Sequence, residues 1–186
     1  MKLGLTALRA VLGAVFFSHG AQKLSTWFGG HGLEGTAAGF ESIGLKPGKR
    51  NAIVAGASEI GGGAMLATGF LTPLAASAMI GVQSEAIRRV HWDKGFFAAN
   101  GGYEFNLTLI AAVFALADVG PGAWSLDRAL GTERSGPLWA LAALGAGLAG
   151  PRVLERLAPA GPPAAAPSQR TNGQPQAAQE TVGSAS

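Results

Sequence analysis

The fold of this chain is decided by residues 10–23, which read AVLGAVFFSHGAQK. They complete an apolar N-terminal run, and about 20 helical residues are enough to cross the ~30 Å hydrocarbon layer of a bilayer. The run nevertheless carries Arg9, His19, Gln22 and Lys23. Ionisable groups at membrane depth are costly and normally face a protein interior or a wet cavity. We therefore expect this helix to pack against other helices that supply carboxylates.

The composition is that of a small membrane protein. Of the 186 residues, 48% are hydrophobic and only 13% are charged, which argues against an ordinary soluble surface. The net charge of +3 is small and the Lys and Arg residues are scattered, so no nucleic-acid partner is indicated. The chain contains no cysteine, which excludes disulfides, thiolate metal sites and thiol redox chemistry of its own. We expect no metal site.

The apolar segments predict an all-α fold, a transmembrane four-helix bundle with a fifth hydrophobic helix near the C-terminus. The predicted helices are 4–24, 51–70, 73–91, 104–118 and 137–156. A shorter interfacial helix is predicted within 36–43, in the glycine-rich loop that follows the first helix. The chain is therefore expected to be a multi-pass protein of the bacterial inner membrane.

The last third of the chain is divided by composition. The transmembrane core is assigned to 1–130 and the additional helix to 131–157. The apolar run 137–150 measures only ~21 Å as a helix, short of a full span unless 153–157 extends it. Residues 158–186 are rich in Pro, Ala, Gln and Ser with almost nothing to bury, so this tail is predicted to be disordered.

The polar side chains of the predicted helices concentrate on one side of the membrane. Alternating helices place the ends of the first and third helices beside the starts of the second and fourth, and depth follows at ~1.5 Å per residue. That half of the bilayer receives His19, Gln22, Lys23, Glu59, Glu85, His91 and Glu104. The opposite side is expected to hold little besides Arg9. This asymmetry predicts a buried site whose hub is Lys23 and Glu59, with His19 beside them.

Each of these polar residues has a structural interpretation beside the functional one. Arg9 either reaches its nearby interface or pairs with an acid inside the bundle. His19 is read as an interhelical hydrogen-bonding group, as a proton or redox group, or as a metal or haem ligand. Glu59 is either a counter-ion for a buried cation or a proton-handling carboxyl.

Two further patterns are interpreted as structural. Glu85 precedes Arg88 and Arg89 at helical spacings that favour salt bridges within one helix. The glycines 61–63, together with Ala57, are predicted to form a packing seam, because small residues let helix backbones approach closely.

A series of short motifs runs through the first two thirds of the chain. It comprises Arg9, Gly13, Phe16, His19-Gly20, Lys23, the glycines of 29–35, Gly44-Leu45, Ala57-Ser58-Glu59, Gly62-Gly63, Gly69-Phe70-Leu71-Thr72, His91-Trp92, Gly95-Phe96-Phe97, residues 100–104, Gly120-Pro121-Gly122 and Ser125-Leu126-Asp127. The combination resembles the DoxX family of small bacterial membrane proteins over about residues 5–130. The resemblance implies a four-helix membrane core, and it associates the chain with a subunit of a thiosulfate:quinone oxidoreductase and with oxidative-stress complexes.

These observations define the candidate site. The candidate catalytic residues are His19, Lys23, Glu59 and Glu104, and the candidate ligand-binding residues are Arg9, Gln22, Glu85, His91, Trp92 and Asn100. Quinone reduction needs proton donors beside an apolar slot, which His, Lys and Glu with flanking aromatic residues provide.

Two functions follow from these residues. The first is a redox-associated, quinone-linked membrane subunit whose electrons come from another membrane or peripheral redox subunit. The second is a non-enzymatic scaffold or small-molecule carrier whose buried charges only hold helices together. A second copy of the chain is a further candidate partner in either case.

Overall fold

The structure, a computed structural model, describes residues 3–157, and every regular element in that range is helical. The predicted all-α class is therefore confirmed. The α-helices are α1 Leu3–Leu24, α2 Gly32–Ser42, α3 Gly48–Thr68, α4 Thr72–Ala86, α5 Glu104–Val119, α6 Leu126–Ala129 and α7 Pro137–Leu157. The predicted disordered tail, 158–186, lies outside the described residues.

All five long helices predicted from the apolar segments are present, with ends that differ by a few residues. The third prediction, 73–91, corresponds to α4 followed directly by a π-helical turn, Ile87–His91. The short helix predicted within 36–43 is the longer α2, which carries Glu34 in its first turn, where a carboxylate interacts favourably with the helix dipole.

The fifth predicted helix is longer than its apolar run. α7 continues through Pro151 to Leu157 and has 21 residues, or ~31 Å. Among the described residues, α1 and α7 are the two helices long and apolar enough to cross a bilayer. α7 packs against α4 and α5, so it belongs to the same assembly of helices as the segment before it.

The connections place the long helices alternately up and down and define two ends. At the long-loop end, the C-termini of α1, α4 and α7 lie with the N-termini of α3 and α5, as the ion pair between Arg88 and Glu155 shows. At the short-loop end, the Gly136 amide before α7 donates to the Asp118 carbonyl near the end of α5, at 2.7 Å. Between the ends, the apolar core is centred on Phe16, Leu66, Met79, Ile80, Val113 and Leu116.

Glycine allows α1 and α3 to pack backbone to backbone. A Cβ added at Gly13 would lie 2.6 Å from the Gly63 carbonyl oxygen, and one added at Gly20 would lie 2.6 Å from the Gly56 oxygen. The two glycines of each helix are two turns apart, so the close approach recurs along the same crossing. This contact brings the end of α1 near the middle of α3, where Glu59 lies.

The predicted glycine seam at 61–63 is only partly correct. Gly63 packs on Gly13 and Phe17 of α1, and Gly62 packs on Met79 of α4, but a Cβ at Gly61 would meet no neighbouring atom. Ala57 is also exposed. Successive helical residues point about 100° apart, so three in a row cannot face one partner.

We predict that Gly63→Ala lowers the free energy of unfolding by about 1–3 kcal/mol, because its methyl group overpacks the contact with α1. Gly61→Ala is the matched control. Its methyl group has free space, and replacing a helical glycine by alanine stabilises by about 0.5–1 kcal/mol. Thermal unfolding of both variants in detergent, followed by circular dichroism, measures the difference. Equal effects of the two substitutions would contradict the assigned packing.

Candidate functional site

A cavity of about 910 Å³ lies toward the long-loop end and is lined by residues of α1, α3, α4, α5 and α7. This volume falls in the range of small-molecule binding sites, roughly 300–1,000 Å³. Much of the wall is apolar and includes Val54, Val82, Phe105, Leu109 and Leu154. Five of the predicted site residues also line it, namely His19, Lys23, Glu59, Glu85 and His91.

The predicted contact between Lys23 and Glu59 is confirmed. Lys23 Nζ donates to Glu59 Oε2 at 2.6 Å, and the side chains are 23% and 3% exposed. Glu59 is thus held almost completely out of solvent, while Lys23 connects it to the accessible part of the cavity. What this ion pair does chemically stays a prediction.

His19 lies on α1 one turn before Lys23 and lines the same cavity. It is exposed, and within the described residues its ring makes no hydrogen bond, to Lys23 and Glu59 or to any other group. The predicted position of His19, on the same cavity as the Lys23–Glu59 ion pair, is therefore correct. The interhelical hydrogen bond considered for it is not formed.

Glu85 forms the predicted salt bridges within its own helical segment. Arg88 Nη2 lies 2.6 Å from Glu85 Oε2, and Arg89 Nε lies 3.5 Å from the same oxygen. The sequence interpretation missed Glu155 of α7, whose Oε1 is 2.6 Å from Arg89 Nη2. This second carboxylate ties the end of α7 to the end of α4 beside the cavity.

His91 contacts the loop that precedes α5 at the edge of the cavity. Its Nδ1 lies 2.6 Å from the Gly101 carbonyl oxygen, and both residues line the cavity. Trp92 does not reach the cavity: it is 63% exposed and its ring stacks on Tyr103 with centroids 5.6 Å apart. Asn100 is also exposed, in the short turn Ala98–Asn100.

Gln22 and Glu104 are likewise not part of the cavity lining, although both were candidates. Gln22 Nε2 donates to the Phe28 carbonyl oxygen at 2.9 Å and so secures the loop after α1. Glu104 is the first residue of α5, where its carboxylate interacts favourably with the helix dipole. Gln22 near the end of α1, Glu104 at the start of α5, and Trp92 and Asn100 between α4 and α5 therefore all lie at the long-loop end but outside the cavity lining, and their roles as candidate site residues stay predictions.

Arg9 lies at the short-loop end, away from the cavity. It is only 2% exposed, so the interpretation that it reaches the membrane interface is wrong. Its Nη2 donates to the Trp124 carbonyl oxygen at 2.5 Å, and the charge of Asp127 acts on its guanidinium. Arg9 is therefore a buried cation outside this cavity, and its assignment as a ligand-binding residue stays a prediction.

Asp127 is the polar centre of the short-loop end, and the expectation that this side holds little besides Arg9 is wrong. Its Oδ1 accepts from the Leu71 amide at 2.8 Å. Its Oδ2 accepts from the Thr72 amide at 3.0 Å and from the Thr72 hydroxyl at 2.9 Å. Asp127 thereby caps α4, and the Ser125-Leu126-Asp127 motif was the available signal.

A buried amide pair on the cavity wall was not predicted. Asn106 Nδ2 of α5 donates to Gln83 Oε1 of α4 at 2.7 Å. The two residues are 8% and 6% exposed, and both line the cavity. The cavity therefore has polar groups on two walls, an ion pair between α1 and α3 and an amide pair between α4 and α5. Within residues 3–157, no group of three or more His, Cys, Asp and Glu is placed to hold a metal ion.

Comparison with curated proteins and with solved structures gave no match to this chain. The family model named DoxX matches residues 4–92, which include α1 to α4 and both partners of the Lys23–Glu59 ion pair. The family is membrane-associated, in agreement with the two apolar helices α1 and α7. Residues 4–92 of this protein therefore form a DoxX domain.

Proposed function

We propose that this protein is a quinone-linked redox subunit of the bacterial cytoplasmic membrane and that its cavity is the quinone site. In this arrangement the five long helices lie across the membrane as a multi-pass assembly, with α7 completing the cavity. The observation that carries the proposal is the Lys23–Glu59 ion pair on the wall of an apolar cavity of about 910 Å³. Ionisable residues within membrane-spanning helices are rare, face the bundle interior or a cavity, and mark proton relays and substrate paths.

The proposed reaction divides the work between this chain and a partner. Reduction of a quinone adds two electrons and two protons to its two carbonyl oxygens. The chain has no cysteine to form a redox dithiol, so the electrons are assigned to a partner redox subunit. The protons are assigned to this chain: Glu59 and Lys23 deliver them at the cavity wall, and His19, one turn away, exchanges them with the accessible side.

The test is the Glu59→Gln variant, which keeps the side chain's shape and a hydrogen bond to Lys23 but removes the titratable group. We expect it to fold and to slow quinol formation by at least about 100-fold, the lower limit of a typical general acid–base contribution. The measurement is quinol formation from decylubiquinone in membrane vesicles supplied with thiosulfate, compared with vesicles that lack the protein.

Glu34→Gln is the matched control for this experiment. Glu34 forms an ion pair with Lys49 at the same 2.6 Å separation, but its side chain is 79% exposed and lies outside the cavity lining. It should leave quinol formation unchanged. If Glu59→Gln lowers stability yet leaves quinol formation intact, the ion pair is structural. If vesicles with and without the wild-type protein form quinol equally, the chain is a scaffold or carrier instead.

A further inference from the structure

We infer that Gln83 and Asn106 form the head-group subsite of the cavity and bind a carbonyl oxygen of a ring-shaped, dicarbonyl ligand. The inference deepens the quinone proposal and rests on it for the class of ligand. It starts from a different observation, the amide pair on the wall formed by α4 and α5.

The amide pair has hydrogen-bonding capacity that the protein does not use. Each primary amide offers two N–H donors and a carbonyl acceptor, and the contact between Asn106 Nδ2 and Gln83 Oε1 uses one group from each residue. Gln83 Nε2 and Asn106 Oδ1 have no hydrogen-bond partner within residues 3–157. If both amides were turned over, one NH₂ group and one carbonyl would still be left over.

These two remaining groups face the cavity. Gln83 and Asn106 are more than nine-tenths buried, and the cavity is the space that they line. Neither Gln83 Nε2 nor Asn106 Oδ1 is among the fully enclosed side-chain atoms that lack a partner, so both retain contact with that space. Both groups are therefore open to a molecule in the cavity, and a ligand that displaces water from them must supply the missing hydrogen bonds.

The surrounding wall restricts the class of ligand. Leu109 lies one helical turn after Asn106 on α5, and Val82 precedes Gln83 on α4, so the amides are set in an apolar surface. An amide N–H donates to a neutral carbonyl oxygen, whereas an anionic head group would be drawn to a cation. On the walls formed by α1 and α3, the Lys23–Glu59 pair offers a second polar group. A flat apolar ring with two carbonyl oxygens on opposite edges fits this arrangement, because one oxygen meets the amide pair and the other meets the Lys23–Glu59 pair.

The test compares two ligands of the same shape. The probes are 2,3-dimethyl-1,4-naphthoquinone and 1,2,3,4-tetramethylnaphthalene, which differ in carrying carbonyl or methyl groups at the same positions. Equilibrium dialysis against the full-length protein in detergent micelles, with empty micelles as the blank, measures the affinity for each. We expect the wild-type protein to bind the quinone more tightly than the hydrocarbon.

The double variant Gln83→Leu/Asn106→Leu removes the subsite without leaving a buried amide unpaired, a replacement that costs little stability. It should lower the affinity for the quinone by about tenfold, while the affinity for the hydrocarbon changes by less than about threefold. Equal loss for both probes, or no loss for the quinone, would overturn the inference. So would a wild-type protein that does not prefer the quinone.

A second measurement does not depend on the folding of a variant. The carbonyl stretching band of the isotope-labelled quinone should move to lower frequency on binding to the wild-type protein, because a hydrogen bond weakens the C=O bond. An unmoved band overturns the subsite.

If the amide-dependent preference is present but vesicles form no quinol, the subsite stands and the proposed function fails. If quinol forms at the normal rate and the double variant binds the quinone normally, the subsite fails and the proposed function stands.

Discussion

Replacing Lys23 by methionine is expected to lower the free energy of unfolding by about 3–5 kcal/mol, the usual cost of removing one partner of a buried ion pair. Glu59 is only 3% exposed at its side chain, and Lys23 Nζ, at 2.6 Å, is its hydrogen-bond partner within the described residues. Without Lys23, the Glu59 carboxylate must either stay buried without a counter-ion or take up a proton. Both outcomes cost stability.

The control is the exposed pair of the same length. Lys49 Nζ lies 2.6 Å from Glu34 Oε1, but the two side chains are 60% and 79% exposed. Solvent screens such a pair, so Lys49→Met should change the free energy of unfolding by no more than about 1 kcal/mol. Chemical denaturation of both variants in the same detergent, followed by circular dichroism, gives the comparison.

A double substitution separates the cost of an orphaned charge from the cost of lost packing. Lys23→Met/Glu59→Leu removes both charges and should recover most of the stability that Lys23→Met loses, since well-packed apolar residues often replace a buried ion pair without loss. A double variant as unstable as Lys23→Met would contradict this account. So would a Lys23→Met protein no less stable than Lys49→Met.

The Lys23–Glu59 contact was predictable because a charged side chain in an apolar helix limits which side chains can pack beside it. Each ionisable group at membrane depth needs a partner, and only a few acids lie at a matching depth. The helix bounds were predictable for a similar reason. In lipid, the backbone N–H and C=O groups of a long apolar run must hydrogen-bond within the run, and an α-helix does this.

The rotation of each helix about its own axis was not predictable from the same information. Ala57 and Gly61 were expected at a seam and are exposed, while Gly56 and Gly63, each one or two positions away, make the close contacts with α1. Burying a neutral amide costs less free energy than burying a charge, so an amide in an apolar helix predicts its partner less strongly. Gln83 and Asn106 therefore gave no sign that they face each other across α4 and α5.

The role of Asp127 was not predictable because its carboxylate hydrogen-bonds to residues far away in the chain. A sequence interpretation looks for the helix that an Asp begins, but the Asp127 carboxylate caps α4, more than fifty residues earlier. The contact of Glu155 with Arg89 was not predictable because the apolar run of α7 predicts a helix but does not say which residues lie beside its polar end. Both contacts depend on how distant segments come together at one end of the fold.

Replacing Asp127 by alanine is expected to be about as damaging as losing the Lys23 ammonium, at about 3–5 kcal/mol. Asp127 is 1% exposed, and its carboxylate accepts from three donors at the start of α4: the Leu71 amide, the Thr72 amide and the Thr72 hydroxyl. Each buried donor left without an acceptor costs about 1–3 kcal/mol. Asp93→Ala, at an exposed acid of the loop before α5, is the control and should have little effect.

The charge of Asp127 has a second role that a double-mutant cycle isolates. Arg9 is 2% exposed, and its Nε and Nη1 have no hydrogen-bond partner within the described residues, so we expect the nearby charge of Asp127 to stabilise the guanidinium. Asp127→Asn keeps an acceptor for α4 but removes that charge. If the charge compensates Arg9, Asp127→Asn should cost more stability with Arg9 present than in an Arg9→Met background, with a coupling energy of about 0.5–3 kcal/mol. Both substitutions are measured by the same chemical denaturation. Additive effects on the free energy of unfolding would mean that Asp127 acts on α4 alone. The hydrogen bond from Arg9 Nη2 to the Trp124 carbonyl oxygen, at 2.5 Å, would then be enough to hold Arg9 in the protein interior.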